Sequence, residues 1–310
     1  MAGTSRLICG VKLAVIMTNK LQPLVEVFGF PIDNMSDEAV RYRKNRLCPY
    51  NNKVPNCTKD KLNDPLGVCA VFEQDFTAIT CPVRFRENWI IVEDGADFFF
   101  PKGVQWTSLT EVRLKDKYGK SAGNIDLVLV SYDHNGKIND FGALEVQGVY
   151  ISGNVRDPFE YYMKDPSGRK NMNWRGKPKY PGPDYLSSSR KRLAPQLIFK
   201  GGILNSWGKK SAVVLDQGFF NTLPKLNEVA KDKAEIAWFI YDLELNKKTN
   251  RYVLVKKKTV YTKFLESLEK ITRSDPGKME SFLSVIQKKL DKKLIDGIEE
   301  EDEAPLFDTE

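Results

Sequence analysis

The chain has a single histidine, His134, among 310 residues. Any Ser-His-Asp or Cys-His mechanism would have to run through that one side chain. Cysteine is scarce too, five in all, and no two stand in a Cys-x-x-Cys knuckle, which excludes the standard zinc-finger and zinc-ribbon patterns. No apolar run reaches the length of a membrane-spanning helix. The opening MAGTSRLICGVKLAVIMTNK has its apolar run broken by Lys12 and carries no convincing small-x-small cleavage site, so it does not read as a secretory signal. Internal repeats are absent. These absences predict a soluble, cytoplasmic protein whose chemistry, if any, is metal-assisted.

What is there is unevenly placed. The formal charge is +7, yet the segment from Lys164 to Lys210 holds twelve Lys or Arg against Asp165 and Asp184. A segment this basic points to a polyanion partner or to a solvated loop. Four of the cysteines, Cys48, Cys57, Cys69 and Cys81, fall within 34 residues, with eight, eleven and eleven residues between them. The intervening sequence is too polar and Pro-rich to fold around its own core. In a non-secreted chain such a cluster predicts a metal, zinc or iron, rather than disulfides. Cys9 stands apart in an apolar run and reads as an inert core thiol.

The element pattern mixes strands and helices, which predicts an α/β fold with an N-terminal elaboration. Ser36 caps a helix carrying Arg41, Arg43, Lys44 and Arg46. Residues 89 to 100 read as a strand and turn, and 107 to 117 as a helix with Trp106, Leu109 and Val112 on its apolar side. Ser108 and Glu111 fit a capping box at that helix's start. Residues 153 to 186 read as a long surface loop and 187 to 200 as a basic helix limited by Pro195. Strands follow at Ser211–Leu215, Glu235–Leu245 and Arg251–Val255. A last helix carries Phe282, Val285, Ile286, Leu290, Leu294 and Ile298 on one stripe, before an acidic tail.

The sharpest signal lies in DLVLVSYDHNGKINDFGALEVQ, Asp126 to Gln147. Two apolar-rich runs flank Asn135-Gly136, the pattern of a tight hairpin with a two-residue loop. Paired positions then sum to 271, and Asp126 faces Glu145. Facing like charges destabilise a ladder, so a cation is expected between them. Glu145 and Gln147 share a face, with Val146 turned to the core. Two carboxylates at this separation suit Mg²⁺, which takes hard oxygen ligands and can activate water on a phosphoryl centre. Glu111 is a further candidate carboxylate; Gln147 can orient but cannot act as a general base.

The run FGFPIDNMSDEAVRYRKNRLCPYNNKVPNCTKDKLNDPLGVCAVFEQDFTAITCPVRF resembles the cysteine-bearing region of NotI-type Type II restriction endonucleases. GNIDLVLV followed by GALEVQGVYISG resembles that family's variant of the PD-(D/E)XK nuclease site. The likeness spans roughly residues 8 to 220. It implies a PD-(D/E)XK core, a mixed sheet flanked by helices, at 101–265. It also implies an N-terminal region, 1–100, whose segment from about 36 to 90 holds a structural iron on Cys48, Cys57, Cys69 and Cys81, with zinc possible. Residues 266–310 would be a C-terminal helix and tail. By the same resemblance Asp126, Glu145 and the backbone of Val146 would hold Mg²⁺, and Gln147 takes the place that typical members give to lysine. Glu111 would match the helical acid of such sites. The implied protein is a homodimer that cuts palindromic double-stranded DNA, with a cognate methyltransferase as genetic neighbour. Arg175, Lys177, Arg190, Lys191 and Arg192 are the candidate DNA contacts. The alternatives are a repair or junction nuclease of the same fold and a non-catalytic DNA-binding protein built on the cysteine site.

Overall fold

The computed structural model describes residues 21–61, 63–73 and 76–296. The apolar run at 7–17, Cys9, Ile298 and the acidic tail lie outside the described residues. The chain divides into two compact units, Met1–Thr272 and Arg273–Glu310. The second contributes one described helix, Met279–Asp296, over the expected apolar stripe.

In the first unit a small sheet is built from β1 (Leu24–Val27), β2 (Phe30–Pro31), β3 (Val68–Glu73) and β4 (Phe76–Ile79), in the order β2-β1-β3-β4. Helix α1 (Asp37–Lys44) lies between β2 and β3, and the Ser36 hydroxyl accepts from Ala39 N at 3.3 Å, as a helix cap should. Arg43 does not face solvent: it is buried, and its guanidinium donates to the carbonyls of Asn34 and Pro31, both at 2.6 Å. A buried ion pair, Arg84 to Glu26 at 2.7 Å, joins this layer to the strand that carries Tyr252, whose carbonyl accepts from Arg84 at 3.0 Å. Removing one partner of such a pair typically costs about 3–5 kcal/mol.

Residues 89 to 100 form not a strand but helix α2 (Ile90–Phe99). Its buried positions, Ile91, Val92, Gly95, Ala96, Phe98 and Phe99, follow helical spacing, and that period outweighs the β-branched Ile-Ile-Val run. Gly95 permits close approach to the sheet, since a Cβ there would lie 3.0 Å from Leu144 Cδ1. The segment expected as a helix at 107–117 is strand β5 (Trp106–Lys115), with alternating exposure and Leu109 on the open side. Thr107, Thr110 and Val112 favour extended backbone, and a nine-position pairing with β6 (Ser121–Tyr132) overrides the local Ser-x-x-Glu signal.

The large sheet has the order β12-β11-β10-β7-β6-β5. Its members after β5 are β6 (Ser121–Tyr132), β7 (Ile138–Val146), β10 (Ser211–Asp216), β11 (Ile236–Asn246) and β12 (Arg251–Thr262). Strand β10 runs parallel to both β7 and β11; the outer pairings are antiparallel. Strands β8 (Tyr150–Ser152) and β9 (Gly182–Asp184) form a separate ribbon. The expected loop at 153–186 is thus partly ordered, and it also holds α3 (Arg156–Lys164) and the short α4 (Pro166–Arg169). In α3, Phe159 and Tyr162 are buried.

Alternation along the central strands separates two cores. Leu127, Leu144, Val146, Val214 and Phe239 pack with α2 on one face. Val213, Leu215, Trp238 and Ile240 pack on the other with Leu193 and Leu197. Those two leucines belong to α5, a helix over 185–206 that alternates α turns with π turns at Ser189–Leu193 and Leu197–Gly201. Proline does not end it. Ala194 N donates to the Ser189 carbonyl, an i→i+5 bond just ahead of Pro195, so the register shifts where the missing N–H would have broken the ladder.

Candidate active site

Hairpin β6–β7 sets the site. Its loop has three residues rather than two: Asp133 N donates to the Lys137 carbonyl at 2.9 Å, and Gly136 takes a positive φ of 78°. The Asp133 carboxylate also accepts from the N–H groups of Asn135 and Lys137, each at 2.9 Å. Near the turn, paired positions sum to 270 (Tyr132 with Ile138); a register shift after Ser131 restores 271, as in Leu127 with Leu144. The irregularity cancels the longer loop, and Asp126 still stands across from Glu145.

Asp126 Oδ2 accepts from Val146 N at 2.8 Å, so the ladder continues through a side chain at that point. Glu145 is buried at 8% exposure, and Gln147 is fully buried. Burial, with the nearby Asp126 charge, pushes the Glu145 carboxyl up to about 8, although Lys200 opposes this. Lys200 Nζ donates to Glu145 Oε2 at 2.6 Å and to the Asn124 carbonyl at 2.8 Å. Glu145 Oε1 and Gln147 Oε1 have no hydrogen-bond partner.

Helix α5 crosses this face with three polar residues four apart. Arg192 reaches the Val146 carbonyl at 3.5 Å, Gln196 accepts from the Gln147 amide, and Lys200 meets Glu145. Mixed α and π turns keep such residues in one line along the helix. Gln196 and Lys200 are missing from the sequence expectation. The polar i, i+4, i+8 spacing between Leu193, Ala194 and Leu197 was the available signal, hidden within a generally basic run.

Glu111 lies on β5, not on a helix, so it caps nothing. The pairs Thr110–Leu127 and Val112–Ile125 bracket it, which places it opposite Asp126, and its φ is +57°. It is exposed and pairs with Lys53 at 3.1 Å. A cavity of about 400 Å³ is lined by Glu111 and Asp126 together with Cys57, Lys59, Cys81 and Arg86. The cysteine segment therefore forms a wall of the cleft that holds the acids.

Cys57, Cys69 and Cys81 are buried and Cys48 is half-buried, all as free thiols. Burial pushes Cys48 up to about 11 and Cys57 upward, and Cys69 well above the usual thiol range; each also feels the Cys81 charge. Beside them, Lys59 Nζ donates to the Val68 carbonyl at 2.6 Å and to Thr80 Oγ1 at 2.9 Å. Among the described residues no group of three or more His, Cys, Asp or Glu side chains is arranged to hold a metal ion. The four thiols thus do not form a finished ligand set in this structure. The Asp126–Glu145 pair does fit a hard cation, because two neighbouring carboxylates repel and one buried carboxylate oxygen is left unpartnered.

Arg190 and Lys191 are exposed on α5, and Arg175 and Lys177 are exposed in the segment before β9. Arg46, from the end of α1, pairs with Asp64 at 2.9 Å. No helix among the described residues is long and apolar enough to cross a membrane.

No curated protein compared with this chain matches it. The family model described as restriction endonuclease NotI matches residues 26–254, well over half of the chain, and takes in the cysteine segment, hairpin β6–β7 and α5. The chain belongs to the NotI restriction endonuclease family.

Proposed function

We propose that the protein is a Type II site-specific endonuclease that hydrolyses phosphodiester bonds of double-stranded DNA with Mg²⁺. The family is one of DNA-cleaving hydrolases. One arrangement supports the finer reading: Asp126 and Glu145 meet at the end of a hairpin, on the sheet face crossed by a basic helix. Asp126, Glu145 and the Val146 carbonyl would hold the cation. When bound, Mg²⁺ lowers the pKa of its water and offsets charge developing at phosphorus.

The chain's own groups do the rest. Asp126, tied to Val146 N through one oxygen, keeps the other for the cation. Gln147 is held by Gln196 and orients rather than accepts a proton. Glu111, opposite Asp126, would add a third carboxylate at the mouth of the cleft. Arg190, Lys191, Arg175 and Lys177 would bind phosphates and fix the register of the duplex.

The same reading assigns 101–265 as a PD-(D/E)XK core and 36–90 as a segment stabilised by iron, or zinc, on the four cysteines. It makes the active species a homodimer of a restriction–modification system, with a methyltransferase encoded nearby. Cys69 feels the charges of Cys81, Cys48 and Cys57, so the four thiols lie near one another, although they are not arranged as a ligand set. Incubation of purified protein with Mg²⁺ and unmethylated genomic DNA tests the function. Discrete fragments are expected. A smear would favour a repair or junction nuclease, and DNA retention without cutting would favour a binding protein.

A further inference from the structure

Phosphodiester cleavage builds negative charge on the phosphoryl oxygens, and a fixed positive group beside the reacting centre offsets it. Strand β7 carries no such group. Position 147 is a glutamine, fully buried, with its amide nitrogen already engaged by Gln196. Arg192 reaches the Val146 carbonyl and makes no hydrogen bond with either carboxylate.

Lys200 is placed differently. It is 5% exposed, and its ammonium contacts Glu145 at 2.6 Å and the Asn124 carbonyl at 2.8 Å. An ammonium has three N–H donors. Among the described residues the third has no acceptor, and Glu145 Oε1 on the same ion pair has no donor. An ion pair that served only to fill the interior would not leave a buried carboxylate oxygen without a donor, because such a group costs stability. An unpartnered carboxylate oxygen on this pair, next to an ammonium with one N–H uncommitted and beside Asp126, is the arrangement of a site shaped for something not made of protein.

Resting on the nuclease reading above, we propose that Lys200 is a catalytic residue, the ammonium that β7 lacks, delivered from α5. Two N–H groups fix it to Glu145 and Asn124; the third meets the phosphoryl oxygens of bound DNA. Glu145 is thereby held through Oε2, with Oε1 left for the cation. The helix geometry serves this placement. The π turn over Leu197–Gly201 contains Lys200, and the Gly202 N–H donates to the Leu197 carbonyl at i→i+5. Turns of this kind often occur at functional sites.

Lys200→Met and Lys200→Arg test the proposal through three measurements: single-turnover DNA cleavage at saturating Mg²⁺, Ca²⁺ binding to the DNA-free protein by calorimetry, and thermal melting. Loss of one charge-stabilising donor should slow cutting by Lys200→Met about a hundredfold or more. Calcium affinity should stay equal or rise, since a neighbouring positive charge has gone. Lys200→Arg, which keeps the charge, should recover cutting to within roughly tenfold of wild type.

Cutting by Lys200→Met within about threefold of wild type would overturn the proposal. So would calcium affinity falling in step with the rate, because Lys200 would then merely support Glu145 as a ligand. Should Lys200→Met not fold, Lys200→Gln, which retains two donors, carries the same expectation and the same refutation. If wild type cuts, Asp126→Asn does not and Lys200→Met does, the proposal fails and the nuclease reading stands. A wild type that cuts no DNA overturns both.

Discussion

Glu111 stands opposite Asp126 across β5 and β6, and it does so in the left-handed region, at φ +57°. A glutamate gains nothing from that conformation, which costs roughly 1–2 kcal/mol for a residue with a Cβ. Such strain at the mouth of a carboxylate cleft suggests that the side chain, not the backbone, is what the position serves. Glu111→Gly should therefore raise the melting temperature, or at least not lower it, while slowing DNA cleavage. Glu111→Ala keeps the strain and should slow cleavage to the same extent without stabilising. If Glu111→Gly cuts at the wild-type rate, Glu111 has no part in catalysis.

The two facing acids carry a stronger expectation. Asp126→Asn or Glu145→Ala should abolish cleavage, a loss of about a thousandfold or more, because each removes a cation ligand. DNA affinity measured in Ca²⁺ should remain within roughly tenfold of wild type, since phosphate contacts lie elsewhere. Asp126 also accepts from Val146 N, and Asn can still do so, which makes Asp126→Asn the cleaner variant. Wild-type cutting by either protein would remove the pair from the mechanism.

How far the sequence carried these residues depended on whether the deciding interaction was local. The face-to-face placement of Asp126 and Glu145 was legible from Asn-Gly and strand alternation alone. The loop length was misjudged, yet the register survived because the shift at Ser131–Tyr132 compensates. Segment 107–117 was read as a helix because Ser108 and Glu111 make a good local cap, while its real partner, β6, is a separate element. Residues 89 to 100 misled in the opposite direction, a β-branched run concealing a helical period. Lys200 and Gln196 were illegible for another reason. They touch residues 55 and 49 positions away, and no single-segment pattern encodes that contact.

Asp216 offers a pH test on a group that is not among the proposed cation ligands, although its strand pairs with theirs. It is fully buried at the end of β10, accepting from Phe219 N at 2.7 Å and Ile79 N at 3.0 Å. Burial pushes its carboxyl up to about 7, against those two N–H groups and with help from the Asp242 and Glu73 charges. A carboxyl raised on folding favours the folded state while protonated. Its contribution is full below the unfolded value of 3.8 and is lost as pH rises through about 7. The stability advantage of wild type over Asp216→Asn should shrink by about 4 kcal/mol between roughly pH 4 and pH 8. Denaturant unfolding across that range reads the difference directly. A gap that does not change with pH would mean that Asp216 stays ionised in the fold.

The cysteines make a separate prediction. Purified protein should contain about one iron or zinc per chain, and any Cys→Ser change at Cys48, Cys57, Cys69 or Cys81 should lower the melting temperature, because ligand bonds in such sites are folding energy. Cys9→Ser should leave the metal content unchanged. Iron would colour the protein and zinc would not. Since Cys57 and Cys81 line the same cleft as Asp126, losing the metal should also slow cutting. Absence of metal by elemental analysis, with all four thiols freely titratable in the native protein, would reduce the cluster to buried cysteines.

The basic residues of α5 divide by what they touch. Arg190 and Lys191 are exposed, while Arg192 is half-buried and turned toward the Val146 carbonyl at 3.5 Å. Phosphate contacts release counterions, so each one neutralised should reduce the slope of log affinity against log salt by roughly 0.9. Arg190→Gln with Lys191→Gln should therefore weaken binding at every DNA sequence and flatten the slope by about 2, leaving the rate of bound complexes near wild type. Arg192→Gln should show the opposite balance. Its guanidinium lies against the backbone between Glu145 and Gln147, so the single-turnover rate should fall more than the affinity. Fluorescence anisotropy across a salt series, paired with single-turnover cleavage, separates the two effects. An unchanged slope in the double variant would take this face of α5 out of the DNA interface.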